Sequence, residues 1–134
     1  MSTAKTYQGS CNCKRVRFEL TVDLSQGTFK CNCTRCMKGR LWAVSVKPDA
    51  VRLLSGEGEL TRYAPGTIEG LFCRHCGVGL GGRGDLPQAG GAFFAVNLGT
   101  LDDLPPEELA AAPVSYLDGR NDRWDRTPAF IGHL

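Results

Sequence analysis

Histidine is scarce in this sequence, and long apolar stretches are missing from it. Only His75 and His133 are present among 134 residues. No segment approaches the roughly 20 apolar residues that a membrane-spanning helix needs. The first ten residues lack the apolar core of a signal peptide. We therefore expect a cytoplasmic protein that does not enter a membrane.

An excess of charge of one sign is also missing. The formal net charge is +2, and lysine and arginine are spread along the chain rather than gathered in a basic tract. Proteins that bind nucleic acid usually carry such a tract or stripe, so we expect no nucleic-acid partner. A chain of this length buries about two-thirds of its unfolded surface. This length predicts one domain over residues 1–134, and we expect the core of the domain fold to extend over about 7–126.

Cysteine, by contrast, is abundant and clustered. The seven cysteines form a Cys-x-Cys pair, a Cys-x-Cys-x-x-Cys triplet and a Cys-x-x-Cys pair, in that order. Thiols this close in sequence are poorly placed to bridge each other, and thiols stay reduced in the cytosol. The pattern favours metal binding or catalysis. Secretion with three disulfides, which would leave one thiol over, is the alternative.

The two pairs predict a closed metal site. Cys11 and Cys13 lie in the first half of the chain, and Cys73 and Cys76 lie in the second half. Structural zinc sites are commonly built from two such pairs, which supply four thiolates in a tetrahedron. Because four thiolates saturate the ion, we expect a structural zinc that joins the two halves. An exchangeable or redox zinc is the alternative.

The triplet predicts a different kind of site. Cys31, Cys33 and Cys36 supply three thiolates, which leaves one tetrahedral corner for water, a side chain or a substrate. A zinc ion in such a site holds an added thiol as thiolate, so we expect a catalytic zinc that captures a small thiol. The alternatives are a fourth protein ligand, an iron–sulfur cluster, and a site that fills only with substrate. The candidate fourth ligands are His75, His133, Asp122 and Asp125.

Charged and aromatic residues could either bind a substrate at the triplet or have a purely structural role. Three nearby cations could receive carboxylates of a substrate or could form a solvated face. Five aromatic residues could line a pocket over the open corner, although aromatic residues on strands usually pack in the core. The cations are Arg35, Lys38 and Arg40, and the aromatic residues are Trp42, Phe93, Phe94, Tyr116 and Trp124.

Alternation of apolar and polar residues predicts a mostly β fold. It is clearest from Val16 to Val22. One short helix is expected at 107–112, opened by Pro105 and Pro106. The glycine-rich segment 77–84 is interpreted as a flexible loop. Shorter strands are expected at 41–46, 51–54, 59–63, 67–72, 92–98 and 114–117.

The cysteine motifs resemble those of the glutathione-dependent formaldehyde-activating enzyme and centromere protein V family. The resemblance extends over about residues 9–124, with its motifs in family order, and a segment at 117–121 resembles one branch of the family. The motifs are Gly9-Ser10-Cys11-Asn12-Cys13 with Val16-Arg17-Phe18, Cys31-Asn32-Cys33-Thr34-Arg35-Cys36 with Lys38-Gly39, Phe72-Cys73-Arg74-His75-Cys76-Gly77, and Leu101-Asp102-Asp103.

This resemblance implies an Mss4-like, mostly β fold of coiled antiparallel sheets, stapled by zinc. It implies a structural zinc on the two cysteine pairs and a catalytic zinc on the triplet, in agreement with the partition above. The implied activity is that of a carbon–sulfur lyase, which condenses glutathione with formaldehyde to S-hydroxymethylglutathione or acts on a similar small thiol. A non-catalytic, zinc-stabilised module that binds a protein partner is the alternative.

Overall fold

Ten strands and two short α-helices make up the computed structural model, which describes residues 3–134. The strands are β1 Lys5–Ser10, β2 Arg17–Val22, β3 Thr28–Cys31, β4 Trp42–Val46, β5 Val51–Ser55, β6 Leu60–Tyr63, β7 Glu69–Cys73, β8 Gly79–Leu86, β9 Gly91–Asn97 and β10 Val114–Leu117. The helices are α1 Thr34–Gly39 and α2 Pro106–Ala111. The expected mostly β fold is confirmed. Neither helix has the length and apolar character needed to cross a membrane.

The strands form two sheets. One contains β1, β2 and β5, and the other has the order β10-β3-β4-β9-β8-β7-β6. Pairings between the described strands are antiparallel, except that β10 runs parallel to β3. In this parallel pair Leu117 lies opposite Cys31. The segment that follows β10 therefore begins beside Cys31, the first cysteine of the triplet.

Both sheets contribute to the hydrophobic core. The alternation in β2 buries Phe18 and Leu20, which are 2% and 0% exposed, and the core continues through Val96 of β9. Burial of a side chain of this size contributes about 1.5–3 kcal/mol. Cys11 and Cys73 belong to the same buried cluster. The two cysteine pairs are thus connected directly to the core.

Two elements differ from the sequence-based predictions. The prediction of a flexible loop at 77–84 is wrong, because Gly79–Leu86 is strand β8. This strand pairs with β7 on one side and with β9 on the other. Glycine is needed there: Gly81 has a φ of +137°, and a Cβ on it would lie 1.9 Å from the carbonyl oxygen of Ala95. The expectation of a single helix is also wrong, because α1 forms within the triplet itself.

Candidate metal centres

The two cysteine pairs meet in space. Cys11 and Cys13 lie in the turn after β1, whereas Cys73 ends β7 and Cys76 lies in the following turn. All four sulfur atoms lie within 4.8 Å of one another. The Sγ atoms of Cys11 and Cys13 are 3.6 Å apart, and those of Cys13 and Cys73 are 3.7 Å apart. Four sulfurs bound at about 2.3 Å to one tetrahedral ion would be about 3.8 Å apart, so this group is compatible with zinc.

Main-chain donors surround these sulfurs. The N–H of His75 donates to Cys73 Sγ at 3.4 Å, and main-chain hydrogen bonding, chiefly from Val78, lowers the pKa of Cys76 to about 6. The turn is closed by Gly77, which has a φ of +76° and donates its N–H to the Cys73 carbonyl at 2.8 Å. Such donors favour the thiolate, which is the form that binds a metal.

The imidazole of His75 points to a carboxylate rather than to a sulfur. Its Nε2 forms a hydrogen bond with Glu59, whose carboxylate also accepts one from Arg74 at 2.8 Å. These contacts, that of His75 first, lower the pKa of Glu59. His75 therefore ties the cysteine turn to the residue just before β6.

The triplet is assembled around the start of α1. Cys31 ends β3, Cys33 caps the helix, and Cys36 lies inside it. The N–H of Cys33 donates to Cys31 Sγ and that of Cys36 donates to Cys33 Sγ, both at 3.4 Å. The three sulfurs lie within 4.8 Å of one another, and within residues 3–134 no histidine, aspartate or glutamate places a ligand atom that close to all three. The candidate fourth ligands His75, His133, Asp122 and Asp125 are therefore outside the group.

The three thiols of the triplet are electrostatically unequal. The hydrogen bond between Cys31 and Cys36 is the largest cause that lowers the pKa of Cys31 to about 6 and raises the pKa of Cys36. Main-chain N–H groups of Cys33 and Gly119 also favour the Cys31 thiolate. All seven cysteines are free, so the alternative of three disulfides is not borne out. Three soft donors at this separation could hold a metal ion.

A buried network fixes the triplet against the segment after β10. Asn32, 8% exposed, donates from Nδ2 to Asp118 at 2.8 Å and accepts from the N–H of Arg120 at 2.9 Å. Asn121 also donates to Asp118. The amides of Asn121 and then Asn32 lower the pKa of Asp118, which keeps it a carboxylate. No role was assigned to these residues from the sequence. Asn32 belongs to the triplet motif that resembles the family. Asp118, Arg120 and Asn121 belong to the segment 117–121, which resembles one branch of it.

Gly119 brings this segment into contact with the triplet. A Cβ at this position would lie 2.6 Å from Cys31 Sγ and 2.6 Å from the ring of Trp124, so the close approach depends on glycine. Trp124 is half exposed, and its Nε1 donates to Asp122 at 2.7 Å. Of the five aromatic candidates, Trp124 is therefore placed beside the triplet.

The other four aromatic candidates lie in three different places. Trp42 lines a cavity together with Cys31 and Cys36. Phe93 and Phe94 line a separate cavity of about 480 Å³, and Phe94 also packs against the hydrophobic core. Tyr116 is half-buried on β10.

The three candidate cations have different surroundings. Arg35 donates to the carbonyl oxygens of Ile68 at 3.1 Å and Tyr63 at 3.2 Å, and lies over the Tyr63 ring. It therefore joins α1 to the β6–β7 connection. Lys38 and Arg40 are both exposed, and only Arg40 of the three lines the same cavity as Trp42.

This fold and these sites describe a mostly β protein with two thiol clusters that could each hold a metal ion. A family described as glutathione-dependent formaldehyde-activating enzyme matches residues 6–118, and the chain belongs to that family. The fold also matches the crystal structure of a Rhodobacter sphaeroides protein at a TM-score of 0.68. That match is 24% identical and covers 81% of this chain and 99% of the other. The membership expected from the cysteine motifs is confirmed.

Proposed function

We propose that this protein is a zinc-dependent enzyme of the carbon–sulfur lyase type that acts on a small thiol or its aldehyde adduct. Its family supports a glutathione-dependent reaction of formaldehyde. The observation that carries the finer proposal is the triplet of free thiols with no fourth ligand among residues 3–134. In this proposal a structural zinc is held by Cys11, Cys13, Cys73 and Cys76, and a catalytic zinc by Cys31, Cys33 and Cys36.

The proposed reaction joins a thiol to an aldehyde. One carbon–sulfur bond forms, and the thiol proton ends on the former carbonyl oxygen, so the adduct needs no oxidant or further reactant. When bound, zinc would supply a preference for the thiolate form of the substrate. Holding the thiolate beside an electrophilic carbon adds proximity.

The chain's own contribution to this reaction is to orient and protect the triplet. The donors on Cys33 and Gly119 hold the Cys31 sulfur as thiolate. Asn32 and Asp118 fix the loop that carries Gly119. The Trp124 ring, packed against Gly119, forms an apolar side of the site. A cytoplasmic location, where thiols stay reduced, suits seven free cysteines.

Two-dimensional exchange NMR tests the proposal directly. Glutathione, formaldehyde and S-hydroxymethylglutathione are mixed with the zinc-loaded protein, and the exchange rate is compared with that in buffer. We expect faster exchange with the native chain and no acceleration with Cys33→Ser. A rate equal to that of buffer would reject this substrate pair.

The non-catalytic binding module makes the opposite prediction for the metal. In that case the triplet zinc is structural, and added glutathione leaves it unchanged. X-ray absorption at the zinc edge separates the two functions, since the proposed enzyme gains one sulfur ligand per catalytic zinc when glutathione is added. An unchanged sulfur count would favour the binding module.

A further inference from the structure

A small cavity opens beside the triplet. It has a volume of about 150 Å³, and its wall includes Cys31 and Cys36, the cations Lys30 and Arg40, and the ring of Trp42. Since a water molecule in the liquid takes about 30 Å³, the cavity has room for one acid group and a few neighbouring atoms. A whole peptide would have to extend outside it.

Two cations in this wall are held by main-chain oxygens. Lys30 Nζ donates to the Leu134 oxygen at 3.2 Å and lies 4.6 Å from the centre of the Trp42 ring. Arg40 Nη1 donates to the His133 carbonyl oxygen at 2.7 Å. These contacts hold both side chains in place while using one donor of each. An ammonium has three donors and a guanidinium has five, so donors remain for a ligand.

The charge of these two cations is not balanced by side chains. No aspartate or glutamate in the part of the chain that the structure describes forms an ion pair with Lys30 or Arg40. Several other exposed cations, Lys38 among them, also have no ion pair among the described residues. Lys30 and Arg40 differ from Lys38 in that both line the cavity beside the triplet. The cavity therefore presents positive charge next to the thiol cluster.

The backbone at the end of α1 positions Arg40. This residue follows Gly39, the last residue of α1, and caps the helix with a φ of +51° in the left-handed region. Helices commonly end in this conformation, and here it leaves the Arg40 side chain in the wall of the cavity. Lys38, two residues earlier and within α1, has helical backbone and does not line the cavity.

We propose that this cavity is the subsite for a carboxylate of the thiol substrate, bound by Lys30 and Arg40 while the sulfur lies at the triplet. This inference rests on the proposed function and narrows its substrate class to thiols that carry an acid group a few bonds from sulfur. Charge-assisted hydrogen bonds from the two cations supply the selectivity.

A matched pair of thiols tests this subsite by binding rather than by activity. N-acetylcysteine and N-acetylcysteamine differ by one carboxylate, and isothermal titration calorimetry gives the Kd of each for the zinc-loaded full chain. We expect native protein to bind N-acetylcysteine at least about tenfold more tightly, the effect of a hydrogen bond to a charged group. Lys30→Gln and Arg40→Gln should each reduce this ratio, and the double variant should bring it to about one.

Lys38→Gln is the control, because it removes the same charge from α1 outside the cavity. It should keep the native ratio, and the Trp42 indole N–H signal should shift with N-acetylcysteine and not with N-acetylcysteamine. Equal binding of both thiols by native protein, or an equal loss of preference in Lys38→Gln, would overturn the subsite and leave the proposed function standing. Failure of both thiols to bind would overturn both.

Discussion

Asn32 donates a hydrogen bond of 2.8 Å to Asp118 across 86 residues of sequence. Asn12 occupies the equivalent position in the other Cys-Asn-Cys motif, yet its side chain is exposed. The same tripeptide therefore has two roles. In the triplet its central amide joins two distant loops, whereas in the first pair it faces solvent.

Replacing the buried amide should weaken the triplet. Asn32→Ala leaves Asp118 and the N–H of Arg120 each without one partner, and a buried group that loses its partner costs about 1–3 kcal/mol. We expect a loss of stability of that size in urea denaturation, together with weaker zinc binding at the triplet. Asn12→Ala is the matched control and should be near neutral. Equal effects of the two substitutions would contradict the role of the Asn32–Asp118 contact.

The contact between Gly119 and Cys31 predicts a steric effect. Gly119→Ala places a methyl group 2.6 Å from Cys31 Sγ, so the loop has to move away. If each chain holds two zinc ions, as proposed above, metal analysis should find one zinc fewer in this variant. Gly39→Ala, with open space around its Cβ, should retain both zincs and gain up to about 1 kcal/mol of helix stability. Full zinc content in Gly119→Ala would show that the close approach is not needed.

The two thiol clusters should respond differently to loss of one ligand. Because Cys73 and Cys11 lie in the core cluster, Cys13→Ser should disrupt folding, with a loss of roughly 3 kcal/mol or more. Cys33→Ser should remove one zinc and keep the native circular dichroism. Thermal denaturation with zinc analysis measures both. Unfolding of Cys33→Ser to the same degree would favour two structural sites.

The raised pKa of Tyr7 should make the folded protein less stable at alkaline pH. It is 4% exposed and donates to Glu108, and burial, followed by that contact, raises the pKa of Tyr7 to about 12. The pKa of an unfolded tyrosine is about 10. Because the folded value is higher, the stabilisation is complete below about pH 10 and is lost as the pH rises towards 12.

Tyr7→Phe should remove this pH dependence. The free energy of unfolding of native protein should fall by roughly 1–2 kcal/mol more than that of Tyr7→Phe between about pH 9 and about pH 11. Urea denaturation at both pH values measures the difference, and contributions from the thiols cancel between the variants. Tyr63→Phe, at an exposed position, should behave like native protein. Parallel pH profiles for native protein and Tyr7→Phe would contradict the prediction.

Patterns within short stretches of sequence predicted strand β2 and the two cysteine clusters. The alternation around Phe18 identified β2, since one face of that strand is buried. The spacing of the cysteines identified both clusters, because ligands of one ion must be delivered by short turns. Strand β8 escaped detection because its glycines have little strand propensity, and they are required by contacts with β9 that only the folded sheet shows.

Other features depend on contacts far apart in sequence. Helix α1 has six residues, too few for a helical period, and Cys33 provides its cap. The role of Asp118 depends on Asn32, and the role of Lys30 depends on the segment ending at Leu134. No spacing rule connects such pairs. The grouping of the three thiols could be predicted from their spacing, but the residues that surround them could not.

The parallel pairing of β10 with β3 has a consequence for the order of events during synthesis. All four thiols of the paired cluster have been made once Cys76 is added, so that cluster can close on a nascent chain. The triplet is complete even earlier, at Cys36, yet the strand that delivers Gly119 and Asp118 to it is translated some eighty residues later. A ribosome-bound fragment ending before β10 would therefore carry all seven cysteines, while the triplet still lacked the segment that covers it in the folded protein.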